Sequence, residues 1–248
     1  MQFSNSGLVS FTQLSPNHSG PRNREIQRIT LHCTAGRATV EGLGAIFARP
    51  ERQASANYGI DEQGRIGMYV EECNRSWCSS SYENDVVSVT VECSSEAYEP
   101  FEMNPTVYAR ILDLCEDICR RNGKKRLLWI PDRDTALAYK VGPEELILTC
   151  HFWFTPLKSC PGTWLLSRLG DVAEKVTARL NPPAEQETAV GPAPGDGNTP
   201  SEWSKEAFRW AVKNGILRGD GSSFRLNDPI TREEAICLLY RAIHPDEK

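Results

Sequence analysis

IQRITLHCT, residues 26–34, is the stretch from which the rest of the chain is best read. Ile29 and Leu31 alternate with Thr30 and His32, so an extended backbone puts an apolar row on one face and a polar row, ending in histidine, on the other. Three further segments read the same way. Asn57 to Ile60 leads through a turn at Asp61–Gly64 into a strand carrying Ile66, Met68 and Val70. VVSVTVEC, residues 86–93, points Val87, Val89 and Val91 one way and Ser88, Thr90 and Glu92 the other. ELILTCH forms a fourth strand that ends at His151. Helical segments fall between them. Thr39 caps one through Phe47. A second starts with Pro105 in its first turn and stops at Gly123, with Val107, Ile111, Leu114, Cys115 and Ile118 along one side, and a third covers about residues 164–180. Strands alternating irregularly with helices imply an α/β domain, a mixed central sheet flanked by helices.

The bulk properties suit that reading. The 248 residues are 40% hydrophobic and 25% charged, which fits one medium domain with an appendage. The net charge of −5 and the lack of any block of Lys and Arg argue against a nucleic-acid partner. No apolar run approaches the roughly 18–20 residues that cross a bilayer, so no membrane partner is expected. The N-terminal MQFSNSGLVSFTQLS has neither a basic start nor a long apolar stretch. It predicts no signal peptide, and so synthesis in the cytoplasm with action after release. Nine cysteines, an odd number, favour reduced thiols over a disulfide framework. Residues 181–200, NPPAEQETAVGPAPGDGNTP, lack apolar periodicity and read as a linker between a domain at 1–180 and a module at 201–248.

Of four histidines, His18 and His244 lie in polar surroundings and read as solvated surface. His32 and His151 each end a strand on the face opposite the apolar one, where site residues gather. KSCPG, residues 158–162, places Cys160 nine residues past His151, close enough to turn back beside it. Two imidazoles and one thiolate would leave Zn²⁺ one open position, which is the pattern of a catalytic rather than a structural site. Lys158 shares a face with Cys160 in an extended segment and would stabilise an oxyanion. Glu92 ends its strand beside Ser88 and Thr90. A partly exposed strand-end glutamate is the plain alternative.

Together, ITLHCTAG, SANYGIDEQGRI, SVTVE and the closing histidine with KSCPG resemble the type-2 N-acetylmuramoyl-L-alanine amidases, a family that includes endolysins and peptidoglycan recognition proteins. The resemblance spans about residues 14–178. It implies zinc held by His32, His151 and Cys160, with Glu92 as the catalytic glutamate and Lys158 as the family lysine. Peptidoglycan would be the substrate and the lactyl–L-alanine amide the bond cut. Trp77, Trp153 and Tyr58 would line a groove for glycan or stem peptide, although aromatics at such places are more often core. Two departures stand out. Asn57–Tyr58 replaces a His-Tyr pair, and Trp77–Cys78 replaces Trp-His, which removes the ground for a further histidine contact to substrate. A binding protein that lost catalysis and a thiol peptidase using Cys160 and His151 are the competing readings.

The C-terminal module is expected to be a small all-α helix-turn-helix unit. One helix buries Trp203, Ala207, Trp210 and Ala211 and stops at Gly215. The other begins with Thr231 and Glu234 as a capping box and carries Ile236, Leu239, Tyr240 and Ile243. WAVKNGILRGDGSSFRLNDPITREE resembles a single S-layer homology repeat, which implies attachment to a secondary cell-wall polymer with Arg232 as the best contact. Such repeats usually pack in threes. A lone one implies either a homo-oligomer or weak binding by itself.

Overall fold

The structure, a computed structural model, describes residues 3–182, 199–226 and 228–244. It divides into two compact units, Met1–Pro182 and Pro183–Lys248. Most of the expected linker, residues 183–198, lies outside the described residues.

The first unit is built on a seven-stranded mixed sheet. In chain order its elements are β1 (Val9–Thr12), β2 (His18–Pro21), β3 (Arg28–Cys33), α1 (Val40–Phe47), β4 (Tyr58–Ile60), β5 (Ile66–Met68), β6 (Asn74–Ser76), α2 (Tyr82–Asp85), β7 (Ser88–Cys93), α3 (Pro105–Arg121), β8 (Arg126–Leu128), α4 (Arg133–Ala138), β9 (Glu145–Thr149), α5 (Gly162–Leu166) and α6 (Leu169–Leu180). The strand order is β1-β5-β4-β7-β3-β9-β8, and only β4–β5 is antiparallel. β2 and β6 pair separately. The expected single helix over 164–180 is broken in two, with α5 ending at Leu166 and α6 starting at Leu169. His18, expected in a polar loop, lies in β2, where its Nδ1 accepts from the Gly20 N–H at 3.0 Å. The short strands β1, β2, β6 and β8 have too few residues for period-2 alternation to mark them.

The alternation in residues 28–33 explains the layering. Ile29 and Leu31 face the core shared with Val107, Ile111 and Ile118 of α3 and Val172 and Val176 of α6, all essentially inaccessible to solvent. The opposite face is also buried, but polar. Thr30 Oγ1 lies 2.6 Å from Ser88 Oγ and 2.8 Å from Thr149 Oγ1, so hydroxyls bridge three adjacent strands. Buried hydroxyls are tolerated because each finds a partner. In register with this ladder, His32 stands beside Glu92 across β3 and β7.

The β4–β5 hairpin depends on two facing glycines, Gly59 and Gly67. A Cβ on Gly67 would sit 2.4 Å from Tyr69 Oη and 3.1 Å from Val40 Cβ, and that tyrosine is buried and bonded to the Val40 carbonyl at 2.9 Å. Gly67→Ala is therefore expected to destabilise the domain by about 1–3 kcal/mol, read as a lower urea midpoint.

In the second unit, η-type turn residues 202–204 precede α7 (Lys205–Lys213), and α8 (Arg232–Ile243) starts with the capping box between Thr231 and Glu234. The expected inward face of α7 is corrected. Trp203 is 89% exposed and Trp210 56%, whereas Phe208 packs edge-on against Phe224 with ring centroids 5.1 Å apart and Ile216 is buried. Phe208 and Ala211 lie three residues apart and share a face, and the turn at Gly215 brings Ile216 under Ala211 through a backbone bond of 2.9 Å. Ile236, Leu239 and Ile243 of α8 are also exposed. No described helix is long and apolar enough to cross a membrane.

Candidate metal centre and active-site cleft

Three sequence-distant side chains meet at one end of the central strands. His32 comes from β3, His151 opens a short 3₁₀ turn directly after β9, and Cys160 follows in the return loop. Their donor atoms all lie within 4.8 Å of one another. The imidazole rings stand edge to face with centroids 5.0 Å apart. His32 Nδ1 lies 3.4 Å from Cys160 Sγ.

The return of Cys160 has a local cause. Gly162 holds φ +83°, and a Cβ there would lie 2.6 Å from Phe101 Cδ2 and 2.8 Å from the Pro100 carbonyl. Only glycine fits this turn without strain. The Phe152 N–H then donates to the Cys160 carbonyl at 3.2 Å, tying the loop back to the His151 turn.

The electrostatics suit metal ligation. Burial, with His151 beside it, holds His32 well below its ordinary value, and burial together with Lys158 pulls His151 down to about 4. Both rings are thus neutral at physiological pH, the form that binds metals. Among the described residues, His32 Nε2 and His151 Nε2 are buried ring nitrogens without a hydrogen-bond partner. Orphaned buried polar atoms are rare and call for a ligand. The Cys160 thiol is pushed well up, first by its contact with Cys33 and then by burial. A bound cation reverses that preference outright. The donor set of two imidazoles and a sulfur fits zinc.

The cluster opens into a cleft of about 750 Å³ whose walls include Arg52, Arg75, Trp77, Glu92 and Lys158. Burial raises the Glu92 carboxyl to about 7, against the opposing pull of the Cys78 thiol, Arg52 and Lys158. Trp77 donates its indole N–H to Ser19 Oγ at 2.7 Å, and Arg75 donates to the same oxygen at 2.6 Å while its guanidinium lies 4.7 Å above the Tyr82 ring. Arg52 and Arg75 were not expected here. Arg52 ends a 3₁₀ turn and Arg75 lies in the three-residue strand β6, both too short for a periodic pattern to place them.

Two expected cleft aromatics are placed elsewhere. Tyr58 is fully buried and donates to Glu72 Oε1 at 2.8 Å, because its strand position points into the core. Trp153 is buried and stacks on Trp129 with centroids 5.1 Å apart, facing a separate 400 Å³ hollow. Asn57, standing where a histidine was expected, is a structural bridge. Its Oδ1 accepts from the Thr90 N–H at 3.1 Å, and its Nδ2 donates to the Val70 carbonyl at 3.1 Å. Arg232 is exposed at the start of α8. All nine cysteines are free.

Residues 22–163 match the N-acetylmuramoyl-L-alanine amidase family, and residues 197–236 match the S-layer homology domain. No curated protein matches the chain. Among solved structures, it is similar to a selenomethionine derivative of AmpD at 15% identity, covering 70% of this chain and 99% of that one with a TM-score of 0.49. A mutant endolysin from Bacillus subtilis is 15% identical over 68% of this chain and 99% of its own, with a TM-score of 0.43. The Staphylococcus aureus hydrolase AmiA is 14% identical over 72% and 94% respectively, with a TM-score of 0.46. The matched stretch takes in His32, Glu92, His151 and Cys160 and more than half of the 248 residues, and the chain therefore belongs to the N-acetylmuramoyl-L-alanine amidase family.

Proposed function

We propose that the chain is a zinc-dependent peptidoglycan amidase that hydrolyses the bond between the lactyl group of muramic acid and the first L-alanine of the stem peptide. The observation that carries this reading is the convergence of His32, His151 and Cys160 within 4.8 Å, with both imidazole Nε2 atoms buried and unpartnered. Zinc held by His32, His151 and Cys160 would supply Lewis acidity toward the carbonyl and water at neutral pH.

The remaining work falls to the chain's own groups. Glu92, poised at about 7, takes the proton from the attacking water and delivers it to the departing alanine nitrogen. Lys158, on the cleft wall, places an ammonium against the developing oxyanion. Trp77 offers an apolar surface along the same wall, held in place by Ser19. The S-layer homology module supports attachment to a cell-wall polymer, with the exposed Arg232 as its contact.

Chelation tests the reading directly. Dialysis against a strong chelator is expected to abolish release of free stem peptide bearing a new N-terminal alanine, and added zinc to restore it. Mass spectrometry of digested wall reads both steps. Activity that survives chelation but dies on thiol alkylation would mean a cysteine nucleophile instead.

A further inference from the structure

Cys78 stands half-buried in the cleft, and the amidase reaction gives it no task. Its thiol donates to Glu92 Oε1 at 3.8 Å, and the Cys78 N–H and Ser79 N–H are both anchored on the Asp85 carboxylate at 3.0–3.2 Å. The segment bearing this sulfur is therefore fixed. Cys78, Glu92 and His32 form a second trio whose donor atoms lie within 4.8 Å of one another, the same spacing as the His32–His151–Cys160 set.

We infer that His32, Cys78 and Glu92 form a second, alternative position for a soft divalent cation, sharing His32 with the first. A neutral imidazole has one lone pair to give, so His32 serves one position at a time. The two positions differ in charge. Two imidazoles and one thiolate leave a divalent ion with one net positive charge, whereas one imidazole, one thiolate and one carboxylate neutralise it. Neutrality lowers the cost of holding a divalent ion at the second position in a buried setting. Thiolate, imidazole and carboxylate together suit zinc, cobalt or cadmium, and not magnesium or calcium. An ion there also occupies Glu92, so the second position holds metal in an inactive state. This inference rests on the amidase reading for what the first position does.

The test uses the full chain freed of metal and titrated with Co²⁺, following the thiolate-to-cobalt charge-transfer band and the number of ions bound. Cys160→Ser removes the only thiolate of the first trio. That variant is expected to bind one ion with a clear thiolate band while hydrolysing wall at least about 100-fold more slowly than wild type, the scale of losing general acid–base help. Adding Cys78→Ala should abolish the band and weaken binding at least about 100-fold further, in line with the loss of a metal ligand or its support. Cys78→Ser in the Cys160→Ser background, which keeps the size and the segment, should do the same. Circular dichroism checks that each variant is folded. A Cys160→Ser chain without a thiolate band, or double variants that keep it, would overturn the second position. A Cys78→Ala chain, in which only the first position remains, that binds one ion and still cuts nothing would instead overturn the amidase reading.

Discussion

Glu92→Gln is expected to lower turnover by about 10²–10⁴-fold while the chain keeps its fold and its bound zinc. The side chain sits on β7 in register with His32 of β3, so its position is set by the sheet and not by a mobile loop. Glutamine has the same shape and can still accept from the Cys78 thiol. It cannot exchange a proton, and proton exchange is the task assigned to a carboxyl that burial has raised to about 7. Because the proposed metal donors are His32, His151 and Cys160, ion content should stay at one per chain. Steady-state release of stem peptide, metal analysis and thermal unfolding on the same preparation separate the possibilities. Turnover within about threefold of wild type would take Glu92 out of the mechanism, since even weak general-base help exceeds that.

The largest effect on stability is expected from Arg22→Met, a loss of about 3–5 kcal/mol. Arg22 is buried, and its guanidinium donates to the carbonyls of Glu72 at 2.7 Å and Ser88 at 2.7 Å, to the Asp85 carbonyl, and to Asn57 Oδ1 at 3.1 Å. Burial pulls it down to about 10, with Glu72 and Asp85 opposing, so it stays charged at neutral pH. Methionine fills much of the volume but leaves these four acceptors without their donor and removes the guanidinium's field at Glu72 and Asp85, although Glu72 keeps its ion pair with Arg121. Desolvation without a partner is the dominant cost. For a domain of this size the melting temperature should fall on the order of 10 °C. The consequence reaches the site, because Asp85 anchors the backbone of Cys78 and Ser79 on the cleft wall. A shift below about 1 kcal/mol would mean that water replaces the guanidinium at these acceptors.

Much of the site is legible in the sequence. Residues 28–33 and 88–93 alternate strictly, so the side of the sheet on which His32 and Glu92 stand follows from the period of two. Ala35, Arg52 and Arg75 carried no such signal. They line the cleft from a loop, a 3₁₀ turn and the three-residue strand β6, whose placement depends on tertiary contacts, and Arg75 is held by Ser19, 56 positions away in the chain. Tyr58 and Trp153 misled for a related reason. An aromatic next to a site residue in sequence can point to either side of a strand or turn, and packing decides which. In α7 the apolar stripe was wide enough to support two rotations. The contact of Phe208 with Phe224 selected the one that leaves Trp203 and Trp210 in solvent.

By itself the amino-acid sequence determined the strand faces, the helix starts at Thr39, Pro105 and Thr231, and the residue types able to hold zinc. These are local properties, set by backbone periodicity and by donors within three or four positions. Only the tertiary structure decided that His32, His151 and Cys160 share one point, that Asn57 and Arg22 are structural ties, and that Cys78 faces Glu92. Each of these joins segments more than a dozen residues apart. Such pairings are fixed by sheet register and by loops closing over buried polar groups, not by any pattern along the chain.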